Sequence, residues 1–235
     1  MKNRRVMGWK LAVCVLMFAA GTALSGPAKA EIKNKLNSET TPQTQKAISK
    51  KQVTQWIKQQ GARKANYYFE GLTFIEVQLD EDKELEVIAG IDGGVHLGHF
   101  FVLDRTKAGT YKLIAEKDWK VEALHPGPAV ETDSRVLYET VERTGGTGID
   151  VKYAHLWYVK DGKWVEAWKG VLKERNAMIT GAHSLVAGSY QVIDDTLFSW
   201  ETLTRLEDDD ETVKGERETT LQVFQFDGTR FVEKK

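Results

Sequence analysis

The chain has one cysteine in 235 residues, Cys14, so it can close no internal disulfide and must rely on its core for stability. It also lacks any Lys/Arg-rich block, and its basic and acidic residues nearly balance, 33 against 34. Nucleic acid and anionic lipid both need a basic surface, so neither is an expected partner. The longest apolar run, residues 11–20, falls short of the roughly 20 residues that span a bilayer. Several catalytic signatures are missing too. There is no Gly-x-Ser-x-Gly elbow, no His-Glu-x-x-His, no phosphate-cradling glycine loop and no cysteine set up as a nucleophile.

What is present begins with an address. Residues 1–30 open with Lys2, Arg4, Arg5 and Lys10, continue through the apolar run, and reach Ala28-Lys29-Ala30 ahead of Glu31. That is the pattern of a secretory signal peptide, cleaved after Ala30. Cleavage would remove Cys14 and five basic residues, leaving 28 Lys and Arg against 34 acidic residues. The expected product is an exported, mildly acidic protein with no membrane attachment, ending outside the cell or in a periplasm.

Residues 31–48 are polar and read as a leader. The domain proper is expected over 49–235. Ser49 with Gln52 three residues on makes a capping box, and Val53, Trp56 and Ile57 follow at helical spacing before Gly61. Beyond Gly61 the period changes to short β-branched and aromatic runs broken by Asp-Gly, Gly-Gly and acidic turns, which predicts antiparallel β.

Part of that β region repeats itself. Tyr138-Glu139-Thr140-Val141-Glu142-Arg143 lies over Trp200-Glu201-Thr202-Leu203-Thr204-Arg205 at an offset of 62. Each copy runs on to an Asp-Gly turn followed by an aromatic, Asp161-Gly162 before Trp164 and Asp227-Gly228 before Phe231. Two matches in the same order point to duplication, and a fainter third copy starts near Phe74. Asp-Gly is the strongest short-range hairpin signal because the turn needs positive φ. The hairpin around Asp161 is apolar at both parities (Leu156, Trp157, Tyr158 and Val159, then Trp164, Val165, Ala167 and Trp168), so its sheet should be covered on both faces. The expected fold is mainly β, built from antiparallel meander units in a small or irregular propeller-like arrangement, with one N-terminal helix. A two-layer β-sandwich is the alternative.

The acidic stretch 77–94, VQLDEDKELEVIAGIDGG, resembles the FG-GAP or VCBS type of β-propeller repeat, in which an Asp-x-Asp-x-Asp-Gly loop runs into an apolar strand. The resemblance implies calcium bound by Asp80, Asp82 and Glu86. Gln78 replaces the first acid and Lys83 the glycine that permits a tight ion loop. The segment therefore reads first as a turn and second as a calcium site.

Trp119, beside Asp118 and Lys120, is the tryptophan expected to face solvent, and Asp208, Asp209 and Asp210 form an acidic tip. These four residues are the candidate binding residues. His96 and His99, three apart on a strand, point to opposite faces, and His155 reads as a partly buried, hydrogen-bonded residue. The expected function is non-enzymatic: a binding or structural β-repeat protein for an extracellular protein or cell-envelope polymer. A carbohydrate-binding module would instead show a coplanar pair of exposed tryptophans, and a carboxylate hydrolase two facing carboxyls about 5–10 Å apart in a cleft.

Overall fold

The computed structural model describes residues 47–63, 67–80, 82–95 and 97–234. The segments expected to be signal peptide and leader, up to residue 46, lie outside them. The helix forms where its caps predict. In α1 (Lys50–Gln60) the Ser49 amide donates to Gln52 Oε1 while the Gln52 amide donates to Ser49 Oγ, closing the capping box. Val53 and Ile57 are fully buried and Trp56 stacks on Tyr111 with ring centroids 4.2 Å apart. At Gly61, where the helix stops, a Cβ would fall 2.3 Å from Tyr67 Oη, so glycine is there for close approach rather than for a left-handed cap. Among the described residues no helix is long and apolar enough to cross a membrane.

Every strand after a short turn of 3-10 helix (Phe69–Gly71) pairs antiparallel with its neighbours. Strands β1 (Leu72–Val77), β2 (Glu86–Asp92), β3 (Gly98–Arg105) and β4 (Tyr111–Lys117) form a four-stranded meander in chain order. Strands β5 (Lys120–Val121), β6 (Val130–Glu131), β7 (Val136–Gly146), β8 (Ile149–Lys160), β9 (Lys163–Asn176), β10 (His183–Ile193), β11 (Thr196–Leu206), β12 (Glu218–Phe226) and β13 (Phe231–Glu233) form a nine-stranded sheet. Its main path also follows chain order from β7 to β13, with β5 and β6 both pairing with β7.

Alternation along the strands sets the layers. Val87, Ala89 and Ile91 on β2, with Phe101 and Leu103 on β3, pack under the helix. The opposite parity, Ile88, Phe100 and Val102, packs on Tyr138, Trp157 and Val159 of the large sheet. The other face of β8, Leu156 and Tyr158, meets Leu197, Phe226 and Phe231 from the far end of its own sheet. Strand β8 is thus buried on both faces, as the two-sided hairpin predicts, and burial of each large apolar side chain contributes roughly 1.5–3 kcal/mol. Bulges at Lys152/Tyr153 and Leu156/Trp157 in the β8–β9 pairing bend the sheet so that its ends approach. Across that bend the Tyr158 hydroxyl donates to Thr229 O and the Tyr190 hydroxyl to Glu139. The sheet curls without closing, and the stacked-sheet form of the meander describes the molecule: helix, small sheet, large curled sheet.

The two copies occupy corresponding places. Strands β7 and β8 lead through Asp161-Gly162 to β9, and β11 and β12 lead through Asp227-Gly228 to β13. The turns themselves differ. Asp161 and Gly162 both have positive φ, 52° and 65°, as a two-residue primed hairpin requires. In the second copy only Gly228 does, and the Asp227 carboxylate accepts from the Thr229 and Arg230 amides to hold a longer loop. The faint third copy has one strand more: β1, β2 and β3 all precede its hairpin, because the acidic loop 78–85 adds a reversal.

Candidate functional site

Loop 78–85 joins β1 to β2 and carries two of the three residues expected to bind calcium. Its shape comes from side chains bonding to main chain. Gln78 Nε2 donates to Asp80 O (2.8 Å) and Asp82 O (2.9 Å), Asp80 Oδ1 accepts from the Asp82 amide (3.0 Å), and Asp82 Oδ1 accepts from the Glu84 amide (2.7 Å). The glutamine that replaces the first acid thus ties the loop together from inside. The Tyr138 hydroxyl donates to Gln78 O from the large sheet, and the Tyr111 hydroxyl donates to Leu85 O from the other side.

Three carboxylates converge behind the loop: one ligand oxygen each from Asp80, Glu86 and Asp104 lies within 4.8 Å of the other two. Asp82, the remaining expected ligand, is not in this cluster; its carboxylate caps the loop. Asp104 takes its place from β3, and the sequence reading missed it. On β2 and β3 the register pairs Val87 with Leu103, so Glu86 and Asp104 stand opposite one another one step further on. By parity they share the face of Ile88 and Val102, which meets the large sheet.

Glu86 is fully buried. Its Oε2 accepts from the Leu79 amide at 2.7 Å, whereas its Oε1 is buried with no hydrogen-bond partner. Burial, with Asp80 and Asp82 adding repulsion against the Leu79 bond, pushes this carboxyl up to about 7. Asp104 is also raised, by burial and then by Asp80 and Asp82. The neighbouring Arg105 is engaged by Glu84 at 2.7 Å.

Beside this cluster opens a cleft of about 890 Å³, bounded by loop 78–82, by residues 131–136 and by the Asp161-Gly162 turn, with Tyr138 and Tyr158 in its wall. Asp80 belongs to both cleft and cluster. The closely spaced carboxyls face inward around a buried Glu86, not across the cleft toward one another.

The other expected binding residues are built into the fold. Trp119 is half-buried: its ring stacks on His155 at 3.8 Å and on Phe100 at 5.9 Å. Every described tryptophan is buried or half-buried. The acidic tip lies at the surface, with Asp208 and Asp209 exposed and Asp210 half-buried, but its carboxylates are engaged. Asp208 accepts from the Gly181 amide, Asp209 from the Glu211 and Thr212 amides and the Thr212 hydroxyl, and Asp210 pairs with Arg175 (2.6 Å) and His183 (2.8 Å). The bonds from Thr212 and Glu211 hold Asp209 down to about 2.

His155 is 1% exposed and sits between two carboxylates, Nδ1 2.9 Å from Glu166 and Nε2 3.0 Å from Glu142. His99 is buried with Nδ1 3.3 Å from Asp118, and His96 lies outside the described residues. Compared with protein-family models, curated proteins and solved structures, the chain matches none.

Proposed function

We propose that the chain is an exported, non-enzymatic binding or structural β-repeat protein that engages an extracellular protein or cell-envelope polymer through the cleft beside loop 78–82. The observation that carries this reading is the state of the cleft's polar groups. The Tyr138 hydroxyl donates to Gln78 O, the Tyr158 hydroxyl to Thr229 O, and the Thr132 hydroxyl to Arg135 O. Each of these three hydroxyls is tied to main chain, so this part of the wall is fixed, and exposed Glu131, Asp133 and Asp161 flank it. A preformed concave surface of this size suits recognition.

The test is binding of the purified chain to isolated cell-envelope material and to its separated polymer and protein fractions. Glu131→Lys with Asp133→Lys should weaken binding at least tenfold, and Glu216→Lys, exposed and outside the cleft lining, should leave it unchanged. Equal binding by all three proteins would refute the assignment of the cleft.

A further inference from the structure

We propose that Asp80, Glu86 and Asp104 form a binding site for one calcium ion at the seam between the two sheets. The site stands on its own geometry, whatever the cleft binds.

Two carboxylates directly opposite on adjacent strands repel one another, and here a third closes on them within 4.8 Å. Glu86 Oε1 is sealed from solvent and bonds to nothing, although a buried carboxylate oxygen left without a partner is strongly unfavourable. Among the described residues, Arg105 is held by Glu84, and Lys112, paired with Asp104 across β3 and β4, acts on Asp104 from a solvent-exposed position and leaves its proton affinity raised. The raised proton affinities of Glu86 and Asp104 express the same unmet demand for positive charge.

The donor set is oxygen only, which selects a hard cation over zinc or copper. Ligand number then separates the hard divalent ions: calcium takes six to eight oxygens in flexible geometry, whereas magnesium demands a near-ideal octahedron, keeps several waters and is usually held by one or two carboxylates. Three carboxylates with oxygens all within 4.8 Å of one another favour calcium. Asp80 borders the cleft, which gives the ion an entry and water for its remaining coordination positions.

Asp104, not Asp82, is the third ligand, and this is the discriminating claim. Melting of the full chain at pH 7.5 in chelator, in 1 mM calcium and in 1 mM magnesium tests it, with circular dichroism to confirm folding. With calcium about 100-fold above its dissociation constant, the melting temperature should rise by about 5–10 °C, and magnesium should do less. Asp104→Asn should abolish the shift and, having lost a repulsion, melt in chelator no lower than the parent. Asp82→Asn should keep at least half the shift. The proposal is overturned by an absent shift in the parent, by an equal response to magnesium, by an undiminished shift in D104N, by a lower chelator melting point of D104N, or by a larger loss in D82N than in D104N.

Discussion

Glu86→Gln gives a direct measure of the charge buried at the seam. Glutamine keeps an oxygen to accept from the Leu79 amide and removes the ionisable group. In the folded chain Glu86 titrates at about 7, against 4.5 for a free carboxyl. The native state therefore holds its proton more tightly than the unfolded chain, and stability falls as pH rises through that window. Full ionisation costs about 3 kcal/mol at 1.36 kcal/mol per pH unit, most of it lost between pH 5 and pH 8. Melts in chelator should thus show E86Q gaining on the parent by about 2–3 kcal/mol from pH 5 to pH 8, or roughly 5–10 °C for a chain of this size. A difference that stays flat with pH, or that grows toward acid, would refute the account of Glu86 as a buried carboxylate at odds with its surroundings.

Two further substitutions test the packing. His155→Ala removes the ring that bridges Glu142 and Glu166 and stacks on Trp119, leaving Glu142 only 14% exposed beside Lys169 at 3.6 Å. Urea unfolding should show a loss of about 3 kcal/mol, and an unchanged midpoint would mean the bridge contributes nothing. Gly188→Ala would set a Cβ 1.9 Å from Val171 O, so the β9–β10 pair would have to part. The same assay should report a loss of about 1–3 kcal/mol, and a neutral result would show that the strands do not approach so closely.

The elements legible in the sequence were those fixed by near neighbours. Ser49 and Gln52 define the helix start within four residues, and Asp161-Gly162 defines its hairpin within two. The two-sided apolar pattern of β8 forecast layers on both faces, and the two echoing segments both fall on strands, β7 and β11. What escaped depended on register. Asp104 lies 18 residues beyond Glu86, and only the β2–β3 pairing brings the two face to face. The charged neighbours of Trp119, Asp118 and Lys120, do not report its exposure. On an extended chain they point away from it, and the ring lies inward on His155 and Phe100. The five adjacent acids form the exposed tip that the sequence predicts, with only Asp210 half-buried; not visible in the sequence is that Arg175 and His183 engage Asp210 and the Gly181 amide engages Asp208.

The seam also shows why its acids stand apart from the many others. From Ile88 and Val102 to Trp157 the facing surfaces are apolar and tightly packed. An apolar pair continuing that pattern at positions 86 and 104 would remove the repulsion and the unpartnered oxygen together, and well-packed apolar residues commonly match or exceed the stability of buried charges. The exposed acids elsewhere carry no such penalty, because solvent or a main-chain amide satisfies them. Where a chain keeps local rules through most of a core and gathers like charges at a buried position, that position is where function is expected to outweigh stability. Here the charges fall on the strand ends that meet loop 78–85, whose Asp80 also lines the cleft and so opens the cluster to an outside ligand.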